Sequence, residues 1–222
     1  MSRRSSPLRI VILISGRGSN MLAIAEHVRD GTTPAEIVAV ISNRADAPGL
    51  ASAAALGIPT AVVSADDHAD RTAYDSALAE RVAVDEPDLI VLAGFMLILG
   101  PAFLERFEGR MLNIHPSLLP RYRGLHTHRR VLEAGEHEHG ASVHFVTEDL
   151  DGGPIVIQGR VAVRDDDSVE TLSARVQRAE HSIYPQAVDW FARGRLTWKD
   201  GRAWLDGQPL DSPVCIDFTF GD

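Results

Sequence analysis

The stretch LRIVILISGRGSNMLAIAEHVRDG, residues 8–31, decides the fold. Its first seven residues are almost continuously apolar, which suits a parallel strand buried on both faces rather than one with a wet side. A glycine-rich turn follows, and NMLAIAEHVRDG then reads as a helix ending at Gly31, the residue type that closes helices in the left-handed conformation. The alternation continues outward from this unit. AEIVAVISN (35–43) is a strand, APGLASAAALG (47–57) a short helix, and PTAVVS (59–64) a third strand. An amphipathic helix over 71–85, the strand DLIVLAGF (88–95), a short helix around 103–107 and a strand carrying NIH (113–115) complete the series. Such alternation predicts a doubly wound, mostly parallel, Rossmann-like α/β sheet.

Beyond Gly135 the texture changes. ASVHFVTE (141–148) and PIVIQGRVAV (154–163) are strands joined by the tight DLDGGP, which reads as a hairpin or sharp corner, so the sheet turns mixed toward the C-terminus. DDDSVE opens a helix over 168–191, and 196–210 reads as a terminal hairpin. The expected organisation is a disordered segment 1–7, one domain over 8–210 and a loose tail over 211–222.

With 222 residues and 45% hydrophobic content the chain can bury a substantial core. Its single cysteine, Cys215, gives no disulfide framework and fits a reducing compartment, so cytoplasm is expected. No apolar run approaches the roughly 20 residues of a membrane span. A formal net charge of -9 argues against a nucleic-acid partner chosen by bulk phosphate attraction. Arg121, Arg123, Arg129 and Arg130 are a local exception, read equally well as an anion-receiving spot or as a solvated face.

The turn SGRGSNM (15–21) sits where backbone N–H groups at a helix N-terminus receive an anion, with Gly16, Gly18, Ser19 and Asn20 as donors. A dinucleotide fingerprint would need a third glycine where Met21 stands, and an acid after the second strand where Ser42, Asn43 and Arg44 stand. The turn is therefore read as a site for a single phosphate; the plain alternative is a tight turn plus an Asn helix cap. Strand periodicity puts Asn113 and His115 on one face and Ile114 on the other, and Pro116 and Pro120 take the chain out of the sheet where the polar pair stands. An amide N–H can donate to an oxygen becoming anionic, and an imidazole can carry charge or a proton. Asp151, at the glycine-rich corner, is the carboxylate that could orient His115. Nothing in the sequence forms a nucleophile elbow or an H-E-x-x-H, so a covalent acyl-enzyme and a zinc hydrolase lack their parts. The pairs His126/His128 and His137/His139 lie in loop or helix contexts without carboxylates at matching spacing, and no metal is expected.

Six ordered motifs, LISGRGSN, VLAGFM, NIHPSLLPRYRGLHTHR, HGASVHFV, DLDGGPI and RVQRAEHSIYP, together resemble the phosphoribosylglycinamide formyltransferase family, from about residue 8 to residue 208. The resemblance implies transfer of a formyl group from the co-substrate 10-formyltetrahydrofolate to the glycyl amine of glycinamide ribonucleotide, in purine synthesis. It implies Asn113, His115 and Asp151 as the catalytic set and Gly18, Ser19 and Asn20 under the phosphate. Gly94, Met96, Gln177 and Glu180 would meet the glycinamide and ribose. The pterin would lie against Phe95, Met96, Leu97, Ile98 and Leu99 and against the turn from Val146 through Asp149 to Asp151, with Arg71 at the folate tail. Two departures from the family's usual pattern are Leu97, where arginine is usual, and Arg17, where a smaller or amide residue is common. HPSLLP alone would also fit methionyl-tRNA formyltransferase or formyltetrahydrofolate deformylase; the first would need an RNA-binding domain, the second an extra N-terminal one. A non-catalytic phosphometabolite binder is the reading from another class, and a homodimer is left open.

Overall fold

The computed structural model describes residues 6–220. Strand β1 (Leu8–Ile14) is an interior strand whose side chains split with period two between two cores. Leu8, Ile10, Ile12 and Ile14 join one apolar cluster and Val11 and Leu13 the other. Around it lie β2 (Ala35–Ser42), β3 (Thr60–Val62), β4 (Leu89–Leu92), β5 (Met111–His115), β6 (Glu138–Phe145), β7 (Ile155–Ala162) and, after a separate hairpin, β11 (Val214–Phe218). The order across the eight-stranded sheet is β11-β7-β6-β5-β4-β1-β2-β3. β1 to β5 run parallel, β6 is antiparallel to both neighbours, and β11 is parallel to β7. The doubly wound sheet turning mixed is thus the observed architecture.

Helices α1 (Ser19–Arg29), α2 (Pro48–Ala55) and α6 (Val169–Ala192) bury residues in the first cluster; α3 (Arg71–Val84) and α4 (Pro101–Arg106) bury theirs in the second. α6 starts at a full capping box, Ser168 Oγ accepting from the Thr171 N–H and Thr171 Oγ1 from the Ser168 N–H. Its buried Tyr184 places the hydroxyl 3.0 Å from the Leu92 carbonyl and 2.8 Å from that of Leu112, fixing this helix over β4 and β5. A seven-residue helix, α5 (Thr127–Glu133), stands in the segment after β5. The terminal hairpin is a small antiparallel sheet of β8 (Leu196–Lys199), β9 (Arg202–Leu205) and β10 (Gln208–Pro209).

One expectation changes, and another falls mostly outside the described residues. Of the segment 1–7, residues 1–5 lie outside the described residues, and Ser6 and Pro7 lead straight into β1. The segment 211–222 is not loose where it is described: Val214–Phe218 pairs with Ile157–Val161 as the edge strand. Beside this ladder Arg160 pairs with Asp217, 2.7 Å, Phe218 stacks on Phe220, and the Arg178 guanidinium lies 4.1 Å over the Phe220 ring. Its place among the last dozen residues gave this strand the look of a tail.

Candidate active site

The carboxyl ends of β1, β4 and β5 meet at one edge of the sheet, where open α/β sheets bind ligands. Here the turn after β1 leads into α1, with Gly18 at φ 72° as the residue before the helix, a left-handed conformation that glycine adopts without strain. The turn is braced from behind. The Gly49 N–H donates to the Gly16 carbonyl, 3.0 Å, and a β-carbon on Gly49 would stand 2.6 Å from Ile14 Cδ1 and 2.9 Å from that carbonyl. From α6, Gln177 Nε2 donates to Ser19 Oγ, 3.1 Å, while Asn20 Nδ2 donates to Glu180 Oε2, 2.7 Å. Burial pushes the Glu180 carboxyl up against the pull of that amide. Asn20 Oδ1 is buried with no partner among the described residues. Gly18, Ser19, Asn20, Gln177 and Glu180 therefore form one polar cluster from two elements far apart in sequence.

β5 delivers the polar pair as its periodicity requires, with Ile114 packed in the core. The chain then leaves the sheet over a buried polar knot: Ser142 Oγ donates to the Ser117 carbonyl, 2.7 Å, and Gln158 Nε2 donates to the Leu119 carbonyl, 2.8 Å. This holds the segment after Pro116 so that its Tyr122 carbonyl lies 3.0 Å from His115 Nε2. The other ring nitrogen, Nδ1, is 3.3 Å from Asp151 Oδ2. A ring carrying a hydrogen on each nitrogen satisfies both oxygens at once. Asp151 also accepts from the Gly124 N–H, 3.1 Å, and stands at φ 49° in the hairpin corner.

His144 faces Asn113 across the antiparallel β5–β6 register. Its Nδ1–H donates to the Phe145 carbonyl, 2.9 Å, which leaves Nε2 to accept from Asn113 Nδ2, 3.2 Å. Burial pushes the His144 pKa down, in keeping with this neutral tautomer. The contact also fixes the Asn113 amide: one N–H is committed to His144, and the second is available to a ligand.

A cavity of about 650 Å³ opens over these groups and is bounded by Gly94–Leu99, Asn113–Pro116 and Val146–Asp151. Met96, Ile98, Leu125 and Leu150 are four of the six large apolar side chains exposed among the described residues, and all four border this cavity. A mouth so lined suits a flat, largely apolar ligand. Val146, Asp149 and Leu97 stand on its walls. Arg71 does not: its Nε is 3.1 Å from both oxygens of Asp75, with the guanidinium over the Tyr74 ring.

The histidine pairs rearrange. His139 is in β6, not in a loop or helix, and its Nε2 lies 2.9 Å from Nδ1 of His128 on α5. Among the described residues no group of three or more His, Cys, Asp or Glu is placed to hold a metal ion. Burial, and then the charges of His128 and His115, push the His139 pKa down to about 3; burial and His115 lower that of His128. Both rings are therefore neutral in the fold near pH 7 and take up protons in the unfolded chain below about 6.5. Because the unfolded state binds more protons, stability is full above that value and falls as pH drops toward 3. For His139 the expected loss is about 1 kcal/mol per pH unit across this range. A urea midpoint series from pH 7 to pH 4 would show a shallower fall for His139→Gln than for the parent; parallel curves would refute the assignment.

Sequence reasoning left three participants unassigned. His144 becomes legible only once β6 is registered against β5, and the Tyr122 carbonyl and Gly124 N–H are backbone groups that no residue type announces. No helix among the described residues is long and apolar enough to cross a membrane.

Comparison with known proteins sets this geometry beside characterised chains. A family model described as formyl transferase matches residues 8–188. The phosphoribosylglycinamide formyltransferase of Escherichia coli strain K12 is 52% identical over 203 residues, 91% of this chain and 96% of the relative. That of Haemophilus influenzae is 48% identical over 202 residues, 91% of this chain and 95% of the relative. A solved phosphoribosylglycinamide formyltransferase from Coxiella burnetii, in complex with CHES, superposes with a TM-score of 0.91 at 50% identity, covering 95% of this chain and 99% of that one.

Proposed function

The chain belongs to the formyl transferase family, among its phosphoribosylglycinamide formyltransferases, and from that premise we propose that Asn113, His115 and Asp151 carry out its chemistry. The reaction moves a formyl group from 10-formyltetrahydrofolate to the glycyl amine of glycinamide ribonucleotide, a step of purine biosynthesis. The observation that carries the assignment of roles is the convergence of the three side chains at the floor of the 650 Å³ cavity, beside the polar cluster of the glycine turn.

In this reading the phosphate rests on the backbone N–H groups of Gly18, Ser19 and Asn20, and Gln177 and Glu180 meet the ribose and glycinamide from α6. Gly94 and Met96 border the path between the two ligands, and the apolar segment Phe95–Leu99 and the turn Val146–Asp151 hold the pterin. The amine attacks the formyl carbon; a C–N bond forms and the carbonyl pair moves onto oxygen. The uncommitted N–H of Asn113 donates to that oxygen. His115 supplies positive charge beside it, its two ring nitrogens being engaged by Tyr122 and Asp151. Collapse returns the pair and breaks the bond to N10; the attacking nitrogen gives up one proton and N10 takes one, with Asp151, through water, as the relay. Cytoplasm is the compartment this reading implies. Arg71, held by Asp75, would meet only the far end of a folate tail, and Leu97 brings no charge to that end.

The test is the absorbance change of 10-formyl-5,8-dideazafolate on mixing with the pure protein, with and without glycinamide ribonucleotide. Deformylation that depends on the ribonucleotide is expected. An equal rate without the acceptor would make the protein a hydrolase, and no change in either cuvette would leave a binding protein.

A further inference from the structure

Two ligand-binding segments of this protein are joined at one buried residue, Ser15. Ser15, the residue after β1, opens the glycine turn, and its Oγ donates to Asn43 Oδ1, 2.6 Å, just past the end of β2. With its hydrogen committed there, Oγ turns a lone pair to the Met96 N–H and accepts from it at 2.8 Å. The Ser15 N–H donates to the Gly94 carbonyl, 3.1 Å, so the serine grips the same segment at two points. Among the described residues the Met96 N–H bond is the one hydrogen bond that ties 95–99 to the rest of the protein; otherwise the segment is held by the burial of Phe95 and Leu99. Met96 and Ile98 are exposed.

We propose that Ser15 is a positioning residue for formyl transfer. Its hydroxyl sets the separation between the ribonucleotide on the glycine turn and the folate on 94–99, and so the approach of amine to formyl carbon. The inference rests on the functional reading above. Each segment keeps its own ligand contacts without this bond: the turn retains its N–H groups and its brace from Gly49, and 94–99 retains its apolar wall. What the bond adds is their registration, and a misplacement on the order of 1 Å between reacting groups can cost about 100-fold in rate.

The experiment compares Ser15→Ala and Ser15→Thr with the parent in single-turnover transfer from 10-formyl-5,8-dideazafolate to glycinamide ribonucleotide, and titrates each ligand alone. Ser15→Ala should slow transfer at saturation by roughly tenfold or more. Binding of either ligand alone should stay within about twofold, and Ser15→Thr, which keeps the hydroxyl, should recover much of the rate. A parent-like rate in Ser15→Ala, or a rate loss matched by an equal loss of binding of one ligand, would overturn the proposal. Should Ser15→Ala not fold, Asn43→Ala removes the acceptor that orients the hydroxyl and carries the same expectation. A parent protein that transfers no formyl group would overturn the functional reading instead.

Discussion

Replacing Asp151 by asparagine is expected to slow turnover by about 100- to 1000-fold while both ligands still bind within about threefold. The substitution is nearly isosteric, and the left-handed backbone at φ 49° is one that asparagine tolerates as well as aspartate does. An amide oxygen can still accept from the Gly124 N–H. What disappears is the negative charge 3.3 Å from His115 Nδ1 and the group able to pass a proton. The ring then faces a neutral amide instead of a carboxylate, in a site where both partners are buried and a charge interaction is little screened. Steady-state kcat together with the dissociation constant of 5,8-dideazafolate checks this; near-normal turnover in a protein that binds both ligands would remove Asp151 from the mechanism.

Asn113→Ala should cost a similar factor, about 100- to 1000-fold in kcat, because in the proposed mechanism it removes the donor that meets the developing oxyanion. KM for either substrate should move little, since the oxygen carries its charge only in the transition state. The same change strands His144 Nε2, a buried acceptor, at a cost of about 1–3 kcal/mol. Rate and melting temperature therefore both need measuring. If KM rises in step with any fall in kcat/KM while kcat holds, Asn113 is a binding residue and not the oxyanion donor.

How far the sequence led differs from one element to the next. The double burial of LRIVILI and the period-two pairing of Asn113 with His115 are local properties, and each was readable from a few neighbouring residues. Asp151 was readable because glycines mark a corner, although its distance from His115 depends on how β6 and β7 pair. Other features were not local. His144 needed the β5–β6 register, and the His128–His139 contact needed α5, a helix of seven residues with no side-chain cap to announce it. The position matched to the folate tail, Arg71, showed its own neighbour Asp75 one helical turn on, and that i,i+4 pair now holds the guanidinium. Ser15 looked like any residue of a glycine turn; its partners come from 28 and 81 positions away.

The edge strand β11 has a bearing on how the protein is made. Synthesis delivers β7 well before its last neighbour, since α6 and the terminal hairpin must emerge in between. Throughout that interval the nascent chain carries the outer rim of β7 with its backbone donors and acceptors unmatched, the kind of rim that recruits strands from other molecules. Gly159, which packs beside Phe218 in the finished protein, sits in the middle of that rim and has no side chain to shield it. Until β11 docks, the outer rim of β7 is therefore an adhesive border on a sheet whose other strands are already in place.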